Sequence, residues 1–201
     1  MTDFETVSTR TVYTGAVMAL RVDEVRMPGG EVKAREVVAQ PGAVGVVALD
    51  GDGQVVLIRQ FRHPVRDTLV ELPAGLLDVA GEPAYTTAAR ELAEEAGLTA
   101  GRWDVLVDLR NSPGLSDEAV RVFLARDLAP VPDSDRYVGA DEETDLGVHR
   151  VPLDEAVAAV FTGGIENSLA VAGLLAAAYA RDHGWATLRP ADVDWPARPG
   201  H

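Results

Sequence analysis

Residues 75–98 read GLLDVAGEPAYTTAARELAEEAGL. The second half of this stretch predicts a helix over 83–96. Pro83 suits the first turn of a helix, where its missing N–H is not needed, and Gly97 suits the position just past the end. Apolar residues recur at helical spacing and are expected to form the buried stripe of this helix: Tyr85, Ala88, Ala89, Leu92 and Ala96.

Three glutamates share one side of the predicted helix. Glu91, Glu94 and Glu95 lie at i, i+3 and i+4, so they fall within roughly 100° of one another. Like charges at this spacing destabilise a helix by about 0.2–0.5 kcal/mol per pair, and the helix dipole disfavours anions near a C-terminal end. Two interpretations stay open: a solvated acidic face, or a site for a divalent cation, which takes several oxygen ligands.

The surrounding residues resemble the Nudix box of the Nudix hydrolases. The resemblance lies in Glu82, the pair Arg90-Glu91, the pair Glu94-Glu95 and the closing Gly97. Six residues separate Gly75 from Glu82, one more than in the usual box. The extra residue precedes the helix and leaves the spacing of the helical glutamates unchanged.

This resemblance implies an α/β fold, a Nudix-type α/β/α sandwich around a mixed sheet. It also implies hydrolysis of a nucleoside diphosphate linked to another moiety, with Mg²⁺ or Mn²⁺ as cofactor. By similarity, the metal ligands would be the Ala74 carbonyl, Glu91, Glu94 and Glu95. The structural residues of the motif would be Gly75, Glu82, Gly97 and Arg90, which would orient the glutamates by ion pairing.

Flanking segments resemble the ADP-ribose pyrophosphatase branch of this family. They read RQFRHP at 59–64, ELPAG at 71–75, and SPG at 112–114 followed by Glu118. The resemblance implies that ADP-ribose is hydrolysed to AMP and ribose 5-phosphate. It implies these substrate-binding residues: Arg35, Glu36, Arg59, Arg62, Leu76, Ser112, Pro113, Gly114 and Glu118. Arg35 and Glu36 would reach the nucleotide of the neighbouring subunit in a homodimer.

An acidic segment, GADEETD at 139–145, is expected to carry the catalytic base. Its composition also fits a solvated acidic turn. However, it precedes a predicted strand, and the ADP-ribose branch carries its base-bearing loop at that place. Similarity favours Glu142 as the base, with Glu143 as the alternative.

The rest of the chain predicts a mixture of strands and helices. Antiparallel strands form a hairpin region around the turn Pro28-Gly29-Gly30, and a second hairpin turns at 50–53. Further strands are expected at 69–72, 103–109, 119–125 and 146–151, and helices at 154–161 and 167–181. We expect an N-terminal hairpin region used for dimerisation (1–42), a Nudix domain (43–183) and a C-terminal tail (184–201), which is either loose or docked by Trp185 and Trp195.

Composition excludes several classes of protein. The net charge of −14 argues against a nucleic-acid binder, which needs a basic face. The absence of cysteine excludes disulfides and cysteine-based sites. The longest apolar run spans 169–180, well short of the roughly 20 residues that cross a bilayer. We therefore expect a cytoplasmic homodimer that binds a small nucleotide and neither nucleic acid nor membrane.

Two alternatives to ADP-ribose hydrolysis stay open. The first keeps the chemistry but acts on another nucleoside diphosphate sugar or on a dinucleotide. The second is a non-catalytic Nudix-fold regulator that binds a ligand. It predicts loss of the metal-binding glutamates, whereas Glu82, Glu91, Glu94 and Glu95 are all present.

Overall fold

The computed structural model describes residues 4–132 and 147–198. They divide into two compact units, which are described separately. The first unit comprises residues 4–42, 109–120 and 196–198, and the second comprises 43–108, 121–132 and 147–195. The expected catalytic bases, Glu142 and Glu143, lie outside the described residues.

An antiparallel three-stranded sheet forms the beginning of the chain. Its strands are β1 (Glu5–Thr14), β2 (Ala19–Arg26) and β3 (Val32–Ala39), in the order β1-β2-β3. The turn between β2 and β3 is closed by a 2.7 Å hydrogen bond from Met27 N–H to the Glu31 carbonyl. The predicted antiparallel hairpin region is confirmed, with β1 as an additional edge strand that is exposed along its whole length.

The remaining strands form two further sheets. The five-stranded sheet has the order β11-β8-β9-β4-β7, and the second three-stranded sheet has the order β10-β5-β6. The strands are β4 (Ala43–Ala48), β5 (Gln54–Arg62), β6 (Asp67–Glu71), β7 (Ala74–Leu76), β8 (Leu98–Arg110), β9 (Ala119–Pro130), β10 (Gly147–Pro152) and β11 (Arg189–Pro190). The helices are α1 (Ala84–Ala96), α2 (Leu153–Phe161) and α3 (Ser168–Asp182).

The expected hairpin of β4 and β5 is only partly correct. Its turn forms, with the Asp50 N–H donating to the Gln54 carbonyl at 3.0 Å. Beyond the turn, the strands meet only at an isolated bridge between Leu49 and Val55, and they continue into different sheets. The reason lies in β4, an almost continuously buried apolar strand. Such strands are typical of sheet interiors, with neighbours on both sides.

Helix α1 lies where the sequence predicts it, but its buried stripe is different. Gly97 ends the helix in the left-handed conformation, at φ 64°, as expected. Tyr85, however, is 41% exposed and packs edge-on against Trp103. Thr87 and Glu91 are buried in addition to the expected apolar residues Ala88 and Leu92. The prediction for Tyr85 was wrong because α1 turns a partly polar side toward the sheet.

Helices α1 and α3 both contact strand β4, which lies between β9 and β7 in the five-stranded sheet. Helix α3 approaches closely because Gly173 has no side chain: a Cβ there would lie 2.7 Å from Leu72 Cδ1 and 3.1 Å from Val47 Cγ2. The predicted α/β/α sandwich is confirmed. None of the helices in the two described ranges has the length and apolar character needed to cross a bilayer.

The C-terminal segment is docked, which decides between the two expectations for it. Trp195 is only 6% exposed, and the Arg121 guanidinium lies 4.7 Å from the centre of its ring. Trp185 is covered in the same way by Arg126, at 4.6 Å. Cation–π contacts of this kind are attractive, because the positive charge lies over the electron-rich face of the ring.

Candidate active site

A polar pocket of about 250 Å³ lies in the second unit, where β5, β7 and α1 meet. Strand β5 supplies two of its residues from one face, and α1 supplies three from its last two turns. The pocket is lined by seven residues singled out in the sequence: Arg62, Ala74, Gly75, Leu76, Arg90, Glu91 and Glu95. Two further lining residues, Gln60 and Asp78, were not predicted.

The two helical carboxylates of the pocket are held against β7. Glu91 and Glu95 are one helical turn apart, so both side chains leave α1 on the same side. Gly75 permits this arrangement, because a Cβ at that position would overlap the Glu91 carboxylate. The Ala74 N–H donates to Glu95 Oε2 at 2.8 Å. The close contact between β7 and α1 therefore places both carboxylates in the pocket.

Arg90 lies among three glutamates of the motif. Its Nη1 donates to Glu91 Oε1 at 2.8 Å and to Glu94 Oε2 at 3.1 Å, and its Nη2 lies 3.7 Å from Glu82 Oε2. Burial alone would lower the pKa of the Arg90 guanidinium, but the charges of Glu91 and Glu94 outweigh burial and raise it. The guanidinium therefore stays charged and offsets the repulsion between these carboxylates.

The donor types of the pocket fit a hard divalent cation, since Glu91 and Glu95 are carboxylates and Ala74 offers a backbone carbonyl. Glu94 pairs with Arg90 and is not among the lining residues. Within residues 4–132 and 147–198, no group of three or more His, Cys, Asp or Glu side chains is gathered as a metal site. A cation would therefore compete with Arg90 and the Ala74 N–H for these carboxylates.

Arg62 enters the pocket in an ion pair with Glu71. Its Nε donates to Glu71 Oε1 at 3.0 Å, and its Nη2 donates to Glu71 Oε2 at 2.6 Å. Arg59, also expected to bind substrate, is exposed and is not among the residues lining the pocket. The reason is the period of two along β5, which directs Arg59 to the face opposite Gln60 and Arg62.

The first unit has a pocket of its own, of about 330 Å³. It brings together four of the predicted substrate-binding residues: Arg35, Glu36, Pro113 and Gly114. A loop that is hydrogen-bonded to β3 forms one wall, since the Val38 N–H donates to the Leu115 carbonyl at 2.8 Å. Ser112 and Glu118 flank this loop and are not among the lining residues.

Glu71, the buried partner of Arg62, is not among the predicted site residues. The signal was present, because Glu71 is a charged residue within the apolar strand TLVELP and lies nine positions after an arginine. A buried carboxylate generally needs a partner, and Arg62 was already a candidate site residue. Gln60 and Asp78 carried no such signal in the sequence.

Comparisons with known proteins agree with this geometry. The NUDIX domain model matches residues 39–169, and the model of the nucleoside diphosphate sugar hydrolase N-terminal domain matches residues 4–38. A Mycobacterium tuberculosis protein named ADP-ribose pyrophosphatase is 51% identical, covering 98% of this chain and 93% of that protein. A Bacillus subtilis protein of the same name is 39% identical, covering 76% and 80%.

The solved structures add support for the fold. A crystal structure titled as an ADP compounds hydrolase superposes with a TM-score of 0.76, covering 90% of this chain and 96% of that chain at 23% identity. The match of the NUDIX model extends over more than half of the chain, and the relatives span most of its length. The chain therefore belongs to the Nudix family.

Proposed function

We propose that this chain hydrolyses ADP-ribose to AMP and ribose 5-phosphate, using Mg²⁺ or Mn²⁺, at the pocket formed by β5, β7 and α1. One observation carries the proposal: Arg62, Glu91 and Glu95 line one polar pocket in a Nudix fold. A pocket with cationic groups and carboxylates suits a diphosphate bound together with a divalent cation. The name of the Mycobacterium tuberculosis relative supports ADP-ribose as the substrate.

The reaction consumes one water for each ADP-ribose. A new bond forms between the water oxygen and one phosphorus, and the bond from that phosphorus to the bridging oxygen breaks. Glu91 and Glu95, with the Ala74 carbonyl, would hold the cation, which when bound screens the diphosphate charge and acidifies the attacking water. Glu94 stays a further candidate ligand, and Arg62 is suited to hold phosphate oxygens by its planar guanidinium.

A general base completes the proposed chemistry by accepting a proton from the attacking water. Glu142 stays the predicted base, and Glu143 stays the alternative. The pair is separated by single substitutions to glutamine. If Glu142 is the base, Glu142→Gln lowers turnover at least about a hundredfold, the usual share of general base catalysis. Loss of turnover only in Glu143→Gln would transfer the role to Glu143.

The pocket of the first unit is proposed to bind a nucleotide. Arg35 and Glu36 supply a charged donor and a charged acceptor there, and Pro113 supplies an apolar surface. These groups suit the edge of a base and the hydroxyls of a ribose. In a homodimer, Arg35 and Glu36 would serve the substrate of the neighbouring subunit, while Leu76, Ser112 and Glu118 keep their expected roles in substrate binding. A cytoplasmic location belongs to the same proposal.

A second candidate function keeps the chemistry and changes the substrate to another nucleoside diphosphate sugar. The match of residues 4–38 to the nucleoside diphosphate sugar hydrolase N-terminal domain favours that wider class. A panel of ADP-ribose, ADP-glucose, GDP-mannose and NADH separates the two. We expect the highest kcat/KM for ADP-ribose. A higher value for another compound would establish the second candidate, and hydrolysis of none would favour a non-catalytic regulator.

Removal of the metal tests the cofactor part of the proposal. Excess EDTA is expected to abolish hydrolysis of ADP-ribose, and added Mg²⁺ or Mn²⁺ is expected to restore it, because cation and carboxylates act together. Circular dichroism in EDTA checks that the fold is retained. Full activity in excess EDTA would contradict the proposal.

A further inference from the structure

The ion pair between Arg62 and Glu71 joins a pocket residue to a buried residue. The Arg62 side chain is 42% exposed and lines the pocket, whereas the Glu71 side chain is 3% exposed and is not among the lining residues. Two hydrogen bonds, of 3.0 and 2.6 Å, connect the Nε/Nη2 edge of the guanidinium to both carboxylate oxygens. This fork-to-fork contact fixes the plane of the guanidinium as well as its position.

The strand register shows how far Arg62 reaches to make this contact. Ile58 pairs with Glu71 across β5 and β6, and Arg62 pairs with Asp67, so Arg62 and Glu71 lie on one face but four residues apart along the strands. The Arg62 side chain must therefore extend along the sheet surface, past Gln60, to reach its partner. The contact with Glu71 restricts the rotamers of this long side chain, and a side chain that is restricted beforehand loses less conformational entropy when a substrate fixes it.

We propose that Glu71 is a positioning residue that holds the Arg62 guanidinium in the orientation in which it binds the substrate diphosphate. The proposal rests on the proposed function for the identity of that substrate. Glu71 does not touch the substrate: it acts through Arg62. Its carboxylate also balances the charge of an arginine whose other surroundings in the pocket include the carboxylates Glu91 and Glu95.

The kinetic test is a double-mutant cycle of Glu71→Gln and Arg62→Ala, assayed with ADP-ribose and Mg²⁺. Glu71→Gln keeps the shape of the side chain and removes its charge. We expect KM to rise about tenfold, the scale of one charged hydrogen bond, with a smaller change in kcat. In the Arg62→Ala background, Glu71→Gln is expected to raise KM no further. A merely structural role would lower the active fraction and leave KM unchanged.

Asp104→Asn serves as the matched control. Asp104 pairs with Arg126 at 2.8 Å, and both side chains are largely buried, but neither residue lines the pocket. Asp104→Asn removes the charge that pairs with Arg126 and should leave the KM for ADP-ribose unchanged. An unchanged KM in Glu71→Gln, or an equal rise in the presence and absence of Arg62, would overturn the inference.

A measurement without turnover separates this inference from the proposed function. The Nε–H resonance of Arg62 is observed by ¹H–¹⁵N NMR in the metal-free full chain and titrated with inorganic pyrophosphate. We expect a sharp, protected signal that shifts with pyrophosphate, and in Glu71→Gln a signal broadened by exchange. An enzyme inactive on ADP-ribose with this NMR result would refute the substrate alone, whereas an Arg62 signal indifferent to Glu71→Gln or to pyrophosphate would refute the role of Glu71.

Discussion

At the scale of single residues, the geometry of the site depends on Gly75, because glycine has no side chain. The backbone of β7 can lie against the Glu91 carboxylate only because position 75 is glycine. Gly75→Ala is expected to displace Glu91, lower kcat at least tenfold and reduce the free energy of unfolding by about 1–3 kcal/mol, as overpacking does. Enzyme assays and urea unfolding measure the two effects. Gly51→Ala is the control, since a Cβ there meets nothing within 4 Å, and equal behaviour of the two variants would contradict this explanation.

Local sequence patterns could identify only some of the residues in the site. Glu91 and Glu95 were identified because their spacing on one helix is local information. The sequence predicts no role for Glu71, because its partner Arg62 becomes a neighbour only through the pairing of β5 with β6. Arg59 and Arg62 were assigned to the site together, and the alternation of β5 separates them onto opposite faces.

At the scale of elements, an ion-pair cluster ties the C-terminal segment to the five-stranded sheet. Arg121 of β9, only 3% exposed, bonds Asp108 of β8 at 2.7 Å and donates to the carbonyls of Val193 and Asp194. Arg189 of β11 bonds Asp108 as well, at 2.9 Å. Burial by itself would raise the pKa of Asp108, but the hydrogen bonds from both arginines outweigh burial and lower it.

Because the pKa of Asp108 is lowered in the folded protein, the free energy of unfolding depends on pH. A folded pKa below the unfolded value, which is about 3.9, stabilises the protein fully above that value, and the stabilisation is lost as the pH falls through the folded pKa. Asp108→Asn is therefore expected to lower the free energy of unfolding at pH 7 by about 1–3 kcal/mol, because the pair is only half-buried, and to flatten its decline below about pH 4. Urea unfolding from pH 7 to pH 3 measures this. An acid decline as steep as in the unsubstituted protein would contradict it, and Asp192→Asn, at an exposed position, is the control.

The elements themselves were largely predictable, and their partners were not. The turn at 50–53 and the end of α1 at Gly97 follow from a few adjacent residues. The separation of β4 and β5 into different sheets depends on strands far away in the chain, such as β9 and β10. Tyr85 was assigned to the core because helical spacing shows which residues share a side, but not how far the helix is rotated against the sheet.

At the scale of the whole molecule, the exposed β1 strand leads to a prediction about assembly. Three large side chains are 49–59% exposed there: Val12 and Tyr13 of β1, and Phe4 directly before the strand. Covering such a surface with a second copy would remove apolar area from water. We expect sedimentation equilibrium at micromolar concentration to give twice the 21.3 kDa of one chain. A monomer with full activity would contradict the homodimer and the role of Arg35 and Glu36 toward a neighbouring subunit.

The pocket of β5, β7 and α1 is proposed to catalyse the hydrolysis of ADP-ribose, and a comparison of the unsubstituted protein with one variant tests this assignment. The unsubstituted chain and Glu95→Gln are each incubated with ADP-ribose and Mg²⁺, and AMP and ribose 5-phosphate are quantified by chromatography. We predict equimolar products from the former and a loss of at least about a hundredfold in the latter, typical of removing a group that acts on the transition state, with an unchanged circular dichroism spectrum. Glu155→Gln, an exposed substitution on α2, should retain full activity. Undiminished hydrolysis by Glu95→Gln would place the chemistry elsewhere and contradict the claim.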